Sequence, residues 1–425
     1  MVSAQLDRLH AGHVLSCLVV WPLFLCLPAH AQEGPTTAAE RINTAEDVVV
    51  TDAPLDDMRE RLMELAFDAV SRFPDLHEKS RCRAQEKVAA TALQLDQPMR
   101  ALRYTNAISN WRRGSCLADI GHYCVTHDAA EEGERYASLA AEIVLSEDMA
   151  DEQQWRRDRI RSKIARVYLE LGREGDAQAV TVGLEESQMG GLIRAQASSF
   201  TEADFDAQLE RVDAIVASSQ LDQVQNGLSL CVELYRRFYG SEELRDRSLE
   251  KLKTSWERVP AGLRIEQLMA MAEIAVEHDD AATAKTLYGE IEAVRAKFPM
   301  SPEYEISMAG RLAYLRHSFG ETEEARKDIN AALTRFEQEW ERIGRVFRAG
   351  TIRPLAESLH RMGATDASLA LFRRVVDIGA DNKNARPRAN DFNDTCLAMA
   401  RLGVVPDKGL WSRLEAIRDG LQEPW

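Results

Sequence analysis

Along most of the chain, apolar residues recur every three to four positions, and Gly, Pro or a small polar cluster interrupts them at intervals. That period is helical. It begins near Leu55 and runs to about Leu421, punctuated by stretches such as Phe73-Pro74, Val259-Pro260-Ala261-Gly262, Phe298-Pro299 and Val405-Pro406-Asp407. Only Val48-Val49-Val50-Thr51 reads as a strand. Tight polar or glycine turns are expected at Asp96, Asp128, Gly172, Asp279, Gly320, Gly363 and Gly403. Seven positions before them stand the small residues Ala89, Gly121, Ala165, Ala272, Ala313, Ala356 and Cys396. Five positions after them stand Ala101, Gly133, Ala177, Ala284, Ala325 and Ser368, and then Lys408, which breaks the rule. Small residues let two helices cross closely, and Gly or Asp lets the chain reverse between them. The pattern predicts stacked helical hairpins, an all-α solenoid of about eight or nine helix-turn-helix repeats. Lys408, with Glu415 at the next expected apolar position, reads as a polar terminal cap, because the last hairpin of an open array has no neighbour.

The best single copy is Ala165-Arg166-Val167-Tyr168-Leu169-Glu170-Leu171-Gly172-Arg173-Glu174-Gly175-Asp176-Ala177, and Asp279 to Val375 repeats it with Tyr288 and Phe372 at the aromatic position. This pattern resembles the tetratricopeptide repeat over roughly residues 82–421, with an irregular centre at about 190–260. The resemblance implies a right-handed α-solenoid with a concave binding face. Turn-to-turn intervals here are mostly 40 to 44 residues, instead of the family's period of about 34, and the family's closing Pro is mostly missing. Longer helices or longer connections between repeats follow. Trp111-Arg112-Arg113 returns as Trp155-Arg156-Arg157, and Trp256-Glu257-Arg258 as Trp340-Glu341-Arg342, at spacings that fit the longer repeat. These Trp residues read as hairpin packing.

Residues 1–31 read as a cleaved signal peptide: Arg8, an apolar run from Val14 to Leu27, and Ala29-His30-Ala31 before a cut ahead of Gln32. A periplasmic or secreted location follows, with no integral span after cleavage. Residues 32–54 read as a flexible mature N-terminus and residues 55–421 as the repeat array. The polar stretch 379–388 reads as a surface loop, since Pro387 disfavours helix at Arg386, and its Lys383, Arg386 and Arg388 stand out in an acidic protein. Export makes disulfides possible. A Cys82–Cys116 bridge is conceivable between neighbouring repeats, and buried free thiols are the alternative.

The net charge of -16 argues against a nucleic-acid partner. The chain carries no GxSxG, HExxH, Walker-type or dinucleotide-binding glycine motif, so neither catalysis nor a cofactor is expected, and no metal site is expected. One strip of side chains could bind a partner: Tyr314, His317, Arg353, Glu357, His360 and Arg361, with Arg159 and Arg166 further along the array. The expected function is an exported scaffold that holds a protein or peptide partner in the cell envelope. The alternatives are a peptidoglycan-associated binding protein or an envelope enzyme on a helical superhelix.

Overall fold

The computed structural model of the chain describes residues 50–425, apart from residues 186–187, 218–219 and 257–258 and the side chains of Asp148 and Arg194. The expected signal peptide, residues 32–49 of the expected flexible segment, and Val48-Val49 lie outside the described residues. Residues 50–54 are tied down. The Ala53 amide donates to the Asp96 carbonyl at 2.9 Å, Gln97 Nε2 donates to the Ala53 carbonyl at 2.7 Å, and Asp52 Oδ1 accepts from the Met99 amide at 2.7 Å. The expected flexibility therefore does not extend to them.

Nineteen α-helices follow, with no strand among the described residues. The first ten are α1 (Asp57–Ser71), α2 (Glu78–Gln94), α3 (Pro98–Asn106), α4 (Arg112–Thr126), α5 (Ala130–Leu145), α6 (Gln154–Glu170), α7 (Glu174–Thr181), α8 (Gly190–Ser199), α9 (Phe205–Val216) and α10 (Leu221–Arg237). The others are α11 (Glu242–Ser255), α12 (Ala261–Glu277), α13 (Ala281–Lys297), α14 (Pro302–Ser318), α15 (Thr322–Gln338), α16 (Arg345–Arg361), α17 (Thr365–Ala380), α18 (Ala385–Leu402) and α19 (Lys408–Asp419). Their ends are written locally. At α14, Ser301 Oγ accepts from the Tyr304 amide at 3.3 Å, Pro302 opens the first turn beside Glu303 and Glu305, and Arg316 and His317 close the last. Acids at the start and bases at the end both suit the helix dipole.

All seven expected turn residues adopt the left-handed conformation, with φ of 56° to 62° at the three Asp and 70° to 94° at the four Gly. In each, the amide of the following residue donates to the carbonyl five positions back: Gln97 to Ala92, Ala129 to Cys124, Arg173 to Tyr168, Asp280 to Ala275, Glu321 to Arg316, Ala364 to Leu359 and Val404 to Met399. This Schellman bond satisfies a carbonyl that the helix end leaves open. The small residues meet as expected. Ser368 Oγ donates to the Ala356 carbonyl at 2.8 Å, and a Cβ on Gly121 would lie 2.9 Å from the Gly133 carbonyl oxygen.

The even-numbered helices from α2 to α18 pack side by side as an inner layer, and the odd-numbered helices lie behind them. The inner helices run parallel, because contacts between them join residues at matching levels. Lys163 Nζ meets Asp119 at 2.5 Å, both nine residues before their turns, and Tyr304 donates to the Gly262 carbonyl at 3.2 Å. The centre is irregular, as expected. Helix α8 has only ten residues and packs between α6 and α10, while α9 packs on α10.

The array does not end open. Helix α18 packs against α2, and α1 lies along α18 as its hairpin partner. Lys87 Nζ reaches Asp394 Oδ1 at 2.8 Å, Arg72 Nη1 donates to the Arg418 carbonyl at 3.2 Å, and the Phe73 and Trp425 rings stand 5.0 Å apart. The expected polar end cap is therefore corrected. The last turn is followed by three extra residues before α19 begins, so Lys408 is not at a crossing position. Helix α1 takes the hairpin place instead, and its Leu62, Met63, Leu65, Ala66, Ala69 and Val70 are buried.

Two further expectations change. The stretch 379–388 is helical at both ends, leaving only residues 381–384 between α17 and α18. Pro387 falls in the first turn of α18, where a missing amide proton costs nothing. Cys82 and Cys116 are separate, buried free thiols, with Cys82 Sγ 3.4 Å from Ser109 Oγ. The Trp residues pack as expected: Trp111 stands edge-on to Trp155 at 5.4 Å, and Trp340 edge-on to Phe336 at 5.3 Å.

At the closure, burial first of all, together with the charge of Asp394, pushes the Asp391 carboxyl up to about 7, while Arg353 and Lys87 pull the other way. Folded Asp391 thus keeps a proton between about pH 4 and pH 7 that the unfolded chain releases. Unfolding releases protons in that window, so stability falls as pH rises through it. Asp391→Asn is expected to raise the melting temperature at pH 8 by a few degrees and to flatten its fall between pH 4.5 and 7.5. Equal slopes in the two proteins would count against this account.

Candidate functional site

A cavity of about 510 Å³ opens between the inner helices α12, α14 and α16. Its position follows from the repeat. Counted back from the turns at Asp279, Gly320 and Gly363, the lining side chains stand nine residues before (Arg311, Pro354), six before (Glu273, Tyr314, Glu357) and two before (Glu277, Ser318, Arg361). Those positions share one face of a helix. Val276 and Leu315 add apolar surface. Helices α14 and α16 approach closely here because position 310 is glycine. A Cβ there would lie 2.7 Å from the Pro354 carbonyl carbon and oxygen. Ser358 Oγ donates to the Gly310 carbonyl at 2.7 Å across the same contact.

The carboxylates in the cavity already have partners. Arg311 bridges Glu266 at 2.6 Å and Glu273 at 3.0 Å, Glu277 meets Arg236 at 2.6 Å, and Glu357 lies 3.6 Å from Arg353. Arg361 differs. Its guanidinium lies 5.3 Å from the Tyr314 ring centroid, and it has no carboxylate partner within ion-pair distance among the described residues. A planar cation laid on an aromatic ring keeps its edge N–H groups available for a carboxylate or a carbonyl.

The expected strip is therefore only partly assembled. Tyr314, Glu357 and Arg361 line the cavity together. Arg353 stands behind them, between Glu357 and Asp394, the latter at 3.9 Å. His317 and His360 leave the strip. His317 Nδ1 bonds Thr322 Oγ1 at 2.9 Å, and His360 Nε2 donates to the Leu402 carbonyl at 3.0 Å. Both stand three residues before their turns: His317 reaches across its own turn at Gly320, and His360 reaches the next turn, at Gly403. Among the described residues no group of three His, Cys, Asp or Glu is placed to hold a metal ion.

Arg159 and Arg166, on α6, belong to a different network. Arg159 meets Glu86 at 3.1 Å beside the Trp111 ring, and Arg166 meets Asp119 at 3.3 Å. His122 lies in this network, 3.6 Å from Glu170; burial, and then the charge of Arg166, pushes its imidazole down to about 4. These charges lock α2, α4 and α6 together.

Sequence reasoning missed Glu273, Glu277 and Arg311. In so acidic a chain their residue types carry little information, but their counts back from the turn were available. No family model matches the chain, and no curated protein matches it.

Proposed function

We propose that this protein is a tetratricopeptide-like scaffold that holds an extended segment of a partner protein on its inner face, with the α12–α14–α16 cavity as the anchor. The observation that carries this reading is Arg361, without a carboxylate partner among the described residues and laid on Tyr314 beside the apolar surface of Val276, Leu315 and Pro354. A peptide carboxylate or backbone carbonyl would take the guanidinium edge, and an apolar side chain would take the floor. No reaction and no cofactor form part of this reading. The leader-like residues 1–31 support an exported protein and so a partner in the cell envelope.

The test is a pull-down from envelope extract with residues 32–425 as bait, beside Arg361→Ala and Tyr314→Ala baits. Loss of the charge-assisted contact should weaken capture by roughly tenfold to a hundredfold. A partner retained equally by all three baits would remove the cavity from the proposal. Sedimentation with purified peptidoglycan, without any captured protein, would move the reading to cell-wall binding.

A further inference from the structure

Basic residues collect on three neighbouring inner helices. In a chain of net charge -16, α2, α4 and α6 together carry 12 Lys and Arg against five Asp and Glu. Five of those cations meet on the inner face of the three helices. Arg112 Nη1 meets Glu86 Oε2 at 2.9 Å and Arg159 Nη2 meets Glu86 Oε1 at 3.1 Å, with both guanidinium groups beside the Trp111 ring. Arg83 is exposed one turn before Glu86 on the same face of α2. Lys163 Nζ and Arg166 Nη2 share Asp119, at 2.5 and 3.3 Å. Ser115 Oγ joins the two groups: it accepts from Lys163 at 2.7 Å and donates to Glu86 at 3.2 Å.

Glu86 and Asp119 thus each serve two cations, and Arg83 has no carboxylate within ion-pair distance among the described residues. The flanks do not make up the difference. Helix α8, on one side, has no Asp or Glu. On α18, on the other, Asp394 is held by Lys87 at 2.8 Å, and Asp391 accepts from Asn382 at 3.1 Å. Glu170 is the remaining acid of this face, one turn beyond Arg166 and 3.6 Å from His122. Five cations therefore stand against three carboxylates. The excess is partly buried, with side-chain exposures of 9% at Arg112, 20% at Lys163 and 26% at Arg166. Neighbouring groups respond to it. Burial first of all lowers the hold of Arg112 on its proton, and the charges of Arg159 and Arg83 lower it further, against Glu86 alone. The buried Nε of Arg166 has no acceptor among the described residues. An anion that reaches several such cations at once stabilises them.

Arg159 and Arg166 are seven residues apart, about 10 Å along the helix. Donors spread over that length suit a linear anion with charge at both ends. We propose that the inner wall of α2, α4 and α6 binds a small, elongated oxyanion of at least two negative charges, a chain of phosphates or a polycarboxylate. Arg83 and Arg159 take one end, and Lys163 and Arg166 take the other. Glu86 and Asp119 hold the cations in position. This wall shares no helix with the α12–α14–α16 cavity, so the proposal stands apart from the peptide reading.

Calorimetric titration of residues 32–425 with tripolyphosphate, citrate and sulfate, at matched ionic strength, tests it. Tripolyphosphate or citrate is expected to bind about tenfold more tightly than the compact sulfate, and the tighter of the two names the oxyanion group. The Arg83→Ala/Arg159→Gln pair should lose about tenfold in affinity, and Arg83→Ala alone about threefold. Arg326→Ala removes an exposed cation from the outer helix α15 and should bind as the unsubstituted chain does. Binding of both no tighter than sulfate, full binding by the double variant, or an equal loss in Arg326→Ala overturns the proposal. If the double variant melts early, Arg83→Ala decides alone, because that side chain is exposed and takes part in no ion pair among the described residues.

Discussion

Replacing Leu62 and Met63 together by alanine should open the array and cost roughly 5 kcal/mol of stability. Both side chains are fully buried on α1, the helix that completes the hairpin of α18. A buried leucine or methionine cut to alanine loses its transfer energy and leaves a cavity, at about 2 to 5 kcal/mol each. Here the loss falls on one seam. Helix α18 is buried on nearly every side, with Phe392, Cys396, Leu397 and Met399 among its core residues, because α2, α16, α17 and α1 surround it. Once α1 leaves, that apolar surface meets water, and the contacts of Lys87 and Trp425 have nothing to hold them in register. Small-angle scattering should report a larger radius of gyration, and proteolysis should begin between Ser71 and Glu78. Substitution of Lys408, which is exposed on α19, should do neither. A double variant as compact and as resistant as the unsubstituted chain would show that the closure contributes little.

Gly310→Ala should cost about 3 kcal/mol, a large effect for one methyl group. The new Cβ would lie 2.7 Å from the Pro354 carbonyl and 2.9 Å from the Leu355 amide nitrogen. These are backbone atoms of α16 and cannot rotate away, so α14 must back off. The bond from Ser358 Oγ to the Gly310 carbonyl is then lost, and both groups are left buried. The cavity should also suffer, since Tyr314 moves with α14 and Arg361 with α16. Gly350→Ala is the control. It lies on α16 with nothing within 4 Å of its would-be Cβ, and alanine favours helix there by about 1 kcal/mol. Urea unfolding of both variants gives the comparison. If Gly310→Ala proves as mild as Gly350→Ala, the close approach of the two helices is not a constraint.

The local geometry of this fold was legible because it is set by interactions a few residues long. A left-handed residue, an amide bonded five positions back, and a small residue on each side of the crossing are all fixed within about a dozen positions. Hence every expected turn took the left-handed conformation. The binding strip was half legible. Tyr314, Glu357 and Arg361 follow from the helical count, whereas the two histidines were set one residue off the facing positions, and on a helix one residue is about 100°.

What the sequence determined by itself is the all-α class, the hairpin unit, its turns and its crossing residues. Only the tertiary structure decided that the array closes, that α1 rather than α19 covers α18, and which charges remain unpaired. The reason is range. Closure joins Lys87 to Asp394 and Arg72 to Arg418, contacts more than 300 residues apart in sequence. No local pattern encodes them, because they exist only once each repeat has added its own small rotation to the last. Pairing is likewise relational: Arg361 and Arg311 are the same residue type on the same inner face, and they differ in which carboxylates their neighbours bring within reach.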